Sequence, residues 1–343
     1  MATPDVTVLG AGIFGLSVAW ACLARGARVQ VIDPGGPGAG ASGGIVGALA
    51  PHVPENWNAK KAFQLESLLS AEGFWAQVDD ASGQTSGYAR TGRLQPLPDD
   101  SAAVALAEQR AGGARELWAG RAEWRVVETS DVPSPTGRCI HDTLTARIYP
   151  RWACESLASA IRMRGGSVTA DGAETGAVVH ATGADGLRVL ADWFDAPFGV
   201  GVKGQAVLLG SGLTPDTPQV FADGLHIVPH ADGTVAIGST TEREWAIEGP
   251  EIEVTETLRQ RAVAALPCLR DAKVVARWAG VRPRARTRAP VLGPWPDRPG
   301  HFVANGGFKI GFGMAPKVAD VMADLILEGT DTIPPGFRVE DCF

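Results

Sequence analysis

The sequence predicts an α/β fold in which a parallel-sheet unit built from both ends of the chain is interrupted twice by a sheet-rich α+β unit. Three observations carry this expectation. The apolar run Val6-Thr7-Val8-Leu9 passes directly into Gly10-Ala11-Gly12-Ile13-Phe14-Gly15 and then into a helical pattern, which reads as strand, tight turn and helix. Val29-Gln30-Val31-Ile32-Asp33 reads as a second strand ending in an acid, 18 residues beyond Gly15. Between positions 200 and 248 the pattern alternates as half-buried antiparallel strands do, while the C-terminal part returns to strand, glycine-rich loop and helix.

The glycine spacing has a physical reading. Gly10 permits the turn, Gly12 lets a pyrophosphate approach the backbone, and Gly15 lets the helix lie close to the sheet. The helix start offers free N–H groups and a positive dipole end to phosphates. Asp33 stands where a ribose-binding carboxylate belongs. A glycine triplet alone is weak evidence, but the strand, helix and acid around it complete a Rossmann-like dinucleotide site.

The helix over 13–25 carries Gly15, Ala19 and Cys22 on a small-residue face suited to packing on a sheet. A long glycine-rich loop follows at 35–47, placed to wrap the cofactor. Helical periodicity resumes over 61–78, with Phe63, Leu65, Leu68, Leu69, Phe74 and Trp75 as core candidates. Residues 80–145 are more polar and proline-rich, with a helix near 101–119. Residues 150–164 read as a helix, and Ala177 to Ala181 as a buried strand that breaks at Thr182-Gly183. Strands are expected at 205–209, 226–229 and 234–238, then a helix near 255–266. The chain returns with a strand at 301–304, a glycine-rich loop at 305–313, and a helix over 316–327 with Pro316 in its first turn and Gly329 closing it. The expected division is 1–78, 146–200 and 278–343 for the nucleotide domain, and 79–145 and 201–277 for the substrate domain.

Composition narrows the function classes. Thirty-one basic against 38 acidic residues give a net charge of -7 without a long basic run, which disfavours nucleic acid as a partner. The apolar stretch 6–24 holds the fingerprint glycines and lacks a basic leader, so a strand and helix explain it better than a membrane segment. The five cysteines are scattered with no CxxC pair, which suits a reducing cytoplasm. His226 and His230 would share a strand face, but no third ligand is evident and no metal site is expected.

Four segments together resemble the D-amino-acid oxidase-type family of FAD-dependent oxidoreductases, which includes glycine oxidase and monomeric sarcosine oxidase. They are the N-terminal fingerprint with Asp33, where the family more often has Glu; Gly40-Ala41-Ser42-Gly43-Gly44; the strand ending Ala181-Thr182-Gly183-Ala184; and Gly280-Val281-Arg282-Pro283 followed by Asn305-Gly306-Gly307-Phe308-Lys309 and the final helix. The resemblance implies FAD contacts from Gly10, Gly12, Ile13, Phe14, Gly15, Asp33, Ala41, Ser42, Gly43 and Gly47. It implies further contacts from Ala181, Thr182, Gly183, Gly306, Gly307, Phe308, Lys309 and Ile310. Arg282 resembles the family arginine that grips the substrate carboxylate, a planar two-pronged match. Lys309 resembles the sarcosine oxidase lysine that lies over the flavin, and His52 is a further candidate for the substrate side. The cysteine to which sarcosine oxidase attaches its flavin would align near Gly280, so FAD is expected to be non-covalent. Thr287 stands where the family often has Asp, and the stretch from Gly165 to Val178 is short.

The implied activity is FAD-dependent oxidation of a small amino acid or N-methyl amine, with oxygen or another acceptor restoring the flavin. An oxidase of tRNA wobble-uridine modification shares the Ala41-to-Pro51 loop pattern, although the acidic balance opposes it. An NAD-dependent dehydrogenase would explain the N-terminal fingerprint alone. A flavin-containing binding subunit without turnover is a fourth reading.

Overall fold

The computed structural model describes residues 3–343; Met1 and Ala2, the start of the expected first segment, lie outside the described residues. The N-terminal part runs β1 (Val6–Leu9), α1 (Ile13–Ala24), β2 (Val29–Ile32), β3 (Ala48–Leu49) and α2 (Ala59–Ser82). Next come β4 (Arg93–Pro96), α3 (Ser101–Leu117), β5 (Trp124–Glu128), β6 (Arg138–Asp142), β7 (Ala146–Arg147) and α4 (Pro150–Met163). They are followed by β8 (Ser167–Thr169), β9 (Ala177–His180), α5 (Gly183–Phe194), β10 (Gly199–Gly210), β11 (Gln219–Ala222), β12 (Leu225–Pro229) and β13 (Thr234–Gly238). The chain ends with α6 (Ile252–Ala265), β14 (Lys273–Ala285), β15 (Val291–Pro294), β16 (His301–Asn305) and α7 (Gly311–Glu328).

Two large sheets result. The first has the order β15-β16-β9-β1-β2-β8, parallel except where β15 meets β16. The second has the order β14-β10-β13-β12-β11-β4-β6-β5, antiparallel except where β11 meets β4. In the first sheet β1 lies between β2 and β9, so the glycine turn after β1 opens at the sheet's centre. Residues Ile13 to Cys22 of α1 are buried all round, because the helix packs on the sheet and against both α7 and α4. Its small residues permit that three-sided burial. Trp75 of α2, Leu157 of α4 and Met314 of α7 join the same core.

Several expectations are revised by tertiary context. Strands β4, β5 and β6 occupy the polar 80–145 region, where partly exposed residues such as Arg125 and Val126 blur the alternation. Helix α5 begins at Gly183 itself, with Leu187 and Leu190 in its buried stripe. Helix α7 starts at Gly311, so Pro316 sits inside it and not in its first turn. The neighbouring Lys317 N–H is satisfied by Ser67 Oγ of α2 at 3.2 Å, a side-chain partner for backbone that an interior proline disturbs. Only β8 stands between α4 and β9, beside β2 at the sheet edge. Strand β14 crosses position 277/278 and pairs with β10 along its length.

Candidate active site

The β1–α1 turn opens a cavity of about 1250 Å³ that runs on past the 39–48 loop and the 181–185 turn to β14 and the start of α7. Gly10 has φ +106°, and a Cβ there would meet the Ala181 carbonyl carbon at 2.8 Å. Gly15 does not line the cavity; a side chain there would overlap the Gly10 carbonyl, so it closes the turn onto the helix. The first turn of α1 contains no acid, which leaves its positive end to an anion. Ser42 Oγ accepts from Ile13 N–H at 2.9 Å and fastens the glycine-rich loop to the helix start. Asp33 Oδ2 accepts from Ala11 N–H at 2.7 Å and Oδ1 from Gly35 N–H at 2.9 Å, holding the carboxylate at the cavity wall.

The far end is assembled from the second sheet and the C-terminal segment. Arg284 bridges Gly307, and Phe308 N–H donates to the Pro283 carbonyl at 3.0 Å. This tie brings Lys309 to the side of β14. Gly311, Phe312 and Gly313, the first turn of α7, line the cavity and present backbone N–H groups with no partner one turn earlier in the helix. The dipole end expected at Pro316 therefore lies five residues earlier, which is what brings it to the cavity.

Arg282 is 8% exposed. Its Nη1 donates to the Thr240 carbonyl at 3.3 Å, and the guanidinium lies 5.6 Å from the Trp278 ring centroid. A Cβ on Gly204 would overlap the guanidinium, so only glycine leaves that space. Among the described residues no carboxylate forms an ion pair with Arg282. Burial pushes its pKa down to about 10, with the charge of Glu242 pulling the other way. Lys309 Nζ donates to Thr241 Oγ1 at 2.6 Å. Burial and the Arg282 charge both push the Lys309 pKa down.

The remaining candidates separate into cavity and support residues. Gly12, Ile13, Phe14, Ala41, Ser42, Gly47, Ala181, Thr182, Gly183, Gly307 and Phe308 line the cavity. Gly43, Gly306 and Ile310 do not line it. Gly43 crosses tightly over the Gly38 carbonyl, Gly306 turns at φ +78°, and Ile310 precedes α7. His52 is a correction, because it does not line the cavity. Its backbone N–H and ring Nδ1 both address Gln64 Oε1 of α2, which draws the imidazole into the helix layer. His226 and His230 have different surroundings: His230 Nε2 donates to the Ile45 carbonyl at 2.8 Å, while His226 lines the cavity. Among the described residues no cluster suited to a metal occurs.

A profile of the family described as FAD dependent oxidoreductase (DAO) matches residues 5–325. The chain belongs to the FAD-dependent oxidoreductase family. Glycine oxidase from Pseudomonas putida is 29% identical over 362 aligned positions, covering 96% of each chain. The crystal structure of glycine oxidase from Geobacillus kaustophilus superimposes with a TM-score of 0.86 at 21% identity, covering 98% of each chain. Iminodiacetate oxidase from Chelativorans sp. BNC1 gives a TM-score of 0.83 at 21% identity, covering 97% of this chain and 98% of its own. The protein is thus an FAD-dependent enzyme with the glycine oxidase fold.

The cavity fits FAD on its own evidence. It has a glycine cradle at one end, acid-free helix starts at α1 and α7, and a volume beyond the range of about 300–1,000 Å³ for a single small ligand. At the position of the sarcosine oxidase cysteine, a side chain on Gly280 would overlap the Trp278 ring. Sequence reasoning passed over Phe221, Ser239, Trp245 and Trp278, which line the same cavity. Their signal is weak, since each is a single aromatic or polar residue on a strand or loop, and only the closing of the second sheet over the first brings them there. No helix is long and apolar enough to cross a membrane among the described residues.

Proposed function

We propose that this enzyme oxidises a small amino acid or N-methyl amine that carries a carboxylate, of the glycine or sarcosine type, with FAD held non-covalently. The supporting observation is Arg282, a buried guanidinium with one hydrogen bond and no internal carboxylate partner, at the wall of the cavity. Burying such a charge costs stability unless it is paired, and a substrate carboxylate supplies the pair. The similarity to proteins named glycine oxidase and iminodiacetate oxidase, whose named compounds carry an amine beside a carboxylate, agrees with this reading.

Asp33 would accept the ribose hydroxyls, the α1 start would face the pyrophosphate, and the first turn of α7 would face the ring system. The chemistry that FAD supplies is acceptance of a hydride from the carbon beside the amine nitrogen, leaving an imine that hydrolyses. Arg282 grips the carboxylate in two-pronged fashion and fixes which C–H bond faces inward. Lys309, tied to Thr241, adds a second positive charge at the same end. Trp278 closes one side of the guanidinium against water. The two sheets correspond on this reading to a nucleotide domain and a substrate domain with Arg282 at their junction.

The test is an absorbance spectrum of the purified protein, then anaerobic titration with amino acids and N-methyl amines. A flavin spectrum bleached by glycine, sarcosine or a close analogue is expected; no bleaching by any carboxylate-bearing amine overturns the proposal. Arg282→Ala should raise KM for carboxylate substrates by about 100-fold or more, from the 1.5–3 kcal/mol of each charged hydrogen bond. An equal effect on simple amines would remove its assigned role.

A further inference from the structure

The second sheet carries another polar cluster, on the face of β10 and β14 opposite Arg282. Side chains alternate across a sheet. Val202 is registered with Arg282 and Gly204 with Gly280, so Gly204 shares the face of Arg282 while Lys203 and Gln205 point the other way. Lys203 has no exposed surface at all. Its Nζ donates to the Ile247 carbonyl at 2.6 Å and to Glu251 at 2.7 Å, and stands 3.7 Å from Glu242. Gln205 Nε2 donates to both oxygens of Glu242 at 3.3 and 3.1 Å, and the Thr240 hydroxyl donates to the same carboxylate. The backbone of Glu242 is bridged to Lys203 as well.

Glu242 bears directly on the substrate end of the cavity. It follows two residues after Thr240, whose carbonyl takes the hydrogen bond of Arg282, and one after Thr241, which holds Lys309. A carboxylate next in sequence to the groups that hold buried Arg282 and the more exposed Lys309 is a natural internal partner for them. Instead it is occupied by Lys203, Gln205 and Thr240 on the far side of the strand.

We propose that Lys203 is a positioning residue: by holding Glu242 on the far face of β10, it keeps Arg282 unpaired and open to a substrate carboxylate. This rests on the reading of Arg282 given above. Without the Lys203 charge, Glu242 keeps only the neutral partners Gln205 and Thr240, and its negative charge acts on Arg282 without that compensation. The positive field that recruits an anion then falls by one unit.

The experiment is titration of the FAD-loaded protein with acetate, a carboxylate that carries no amine to oxidise, followed by the change in flavin absorbance. Lys203→Met should weaken acetate binding on the order of tenfold. Adding Glu242→Gln to that variant should return the Kd to near the wild-type value, because the competing charge is gone. Unchanged binding in Lys203→Met, or equally weak binding in the double variant, overturns the proposal and leaves Lys203 as an anchor of the 239–251 segment. Should Lys203→Met fail to fold, Lys203→Gln, which removes the charge and keeps a hydrogen-bonding head, decides in the same way: weaker acetate binding supports the proposal and unchanged binding overturns it. Arg282→Ala is the control. If it leaves acetate binding intact, the carboxylate site itself lies elsewhere, a failure distinct from that of Lys203.

Discussion

Replacing Gly204 with alanine separates the placement of Arg282 from its charge. A Cβ at 204 would overlap the guanidinium carbon and both terminal nitrogens of Arg282. Ordinary contact between heavy atoms needs about 3.5–4.0 Å, so the head group must move by on the order of 1 Å or more. Gly204 lies inside β10 and is not in the left-handed region, so alanine suits the backbone. The overlapping atoms sit at the far end of a flexible side chain, and the fold can yield there without moving a strand. A displacement of that size costs on the order of 100-fold in a positioned reaction. The expected result is a fall in kcat/KM of about 10- to 100-fold, carried largely by KM, with Tm within a few degrees of wild type. The assay is steady-state oxidation of whichever substrate bleaches the flavin, with FAD content and Tm measured in parallel. A variant with wild-type kcat/KM would show that the guanidinium does not meet substrate from above Gly204.

Asp33→Ala should weaken FAD binding by about 10- to 100-fold, since the ribose acceptor is lost and the Ala11 and Gly35 N–H groups lose their partner. Fluorescence titration of the apoprotein with FAD measures this, and an unchanged Kd would place the ribose elsewhere. Acid should destabilise the protein through the half-buried histidines His180 and His226. Burial lowers the pKa of His226 to about 3 and that of His180 to about 4, against about 6.5 for a free imidazole. The unfolded chain therefore takes up protons first, so this stability is whole above about pH 6.5 and declines as pH falls through 6.5 toward 4. Tm measured between pH 7.5 and 4.5 should fall accordingly, and His226→Phe should shallow the slope; an identical slope would exclude His226 from the effect.

The parts legible in the sequence were those in which chemistry is local. Gly10, Gly12 and Gly15 are spaced by the geometry of one turn and one helix start, and Asp33 ends the adjacent strand; neighbours in sequence are neighbours in space there. The glycine-rich segment 305–313 was legible for the same reason, although the helix after it begins earlier than its proline suggests. His52 shows the limit. Its place after the glycine-rich loop pointed to the substrate, but Gln64, one layer away in α2, offers its side-chain oxygen to both the backbone and the ring. Strands β4 to β6 were hidden because a sheet flank pairs through backbone groups that any residue carries, and half-exposed side chains erase the alternation.

The sequence by itself determined a glycine-rich strand, turn and helix start, an acid at the end of the next strand, and a basic and glycine-rich far end matching the FAD-dependent oxidoreductase family. Tertiary structure decided how that far end is arranged. It laid Arg282 over Gly204 and against Trp278, tied Lys309 to Thr241, and detained Glu242 behind β10 with a fully buried lysine. An arginine in a sequence is only a charge. Whether that charge is already paired depends on which face of a strand each neighbour occupies, and strand register is fixed by the closing of a sheet.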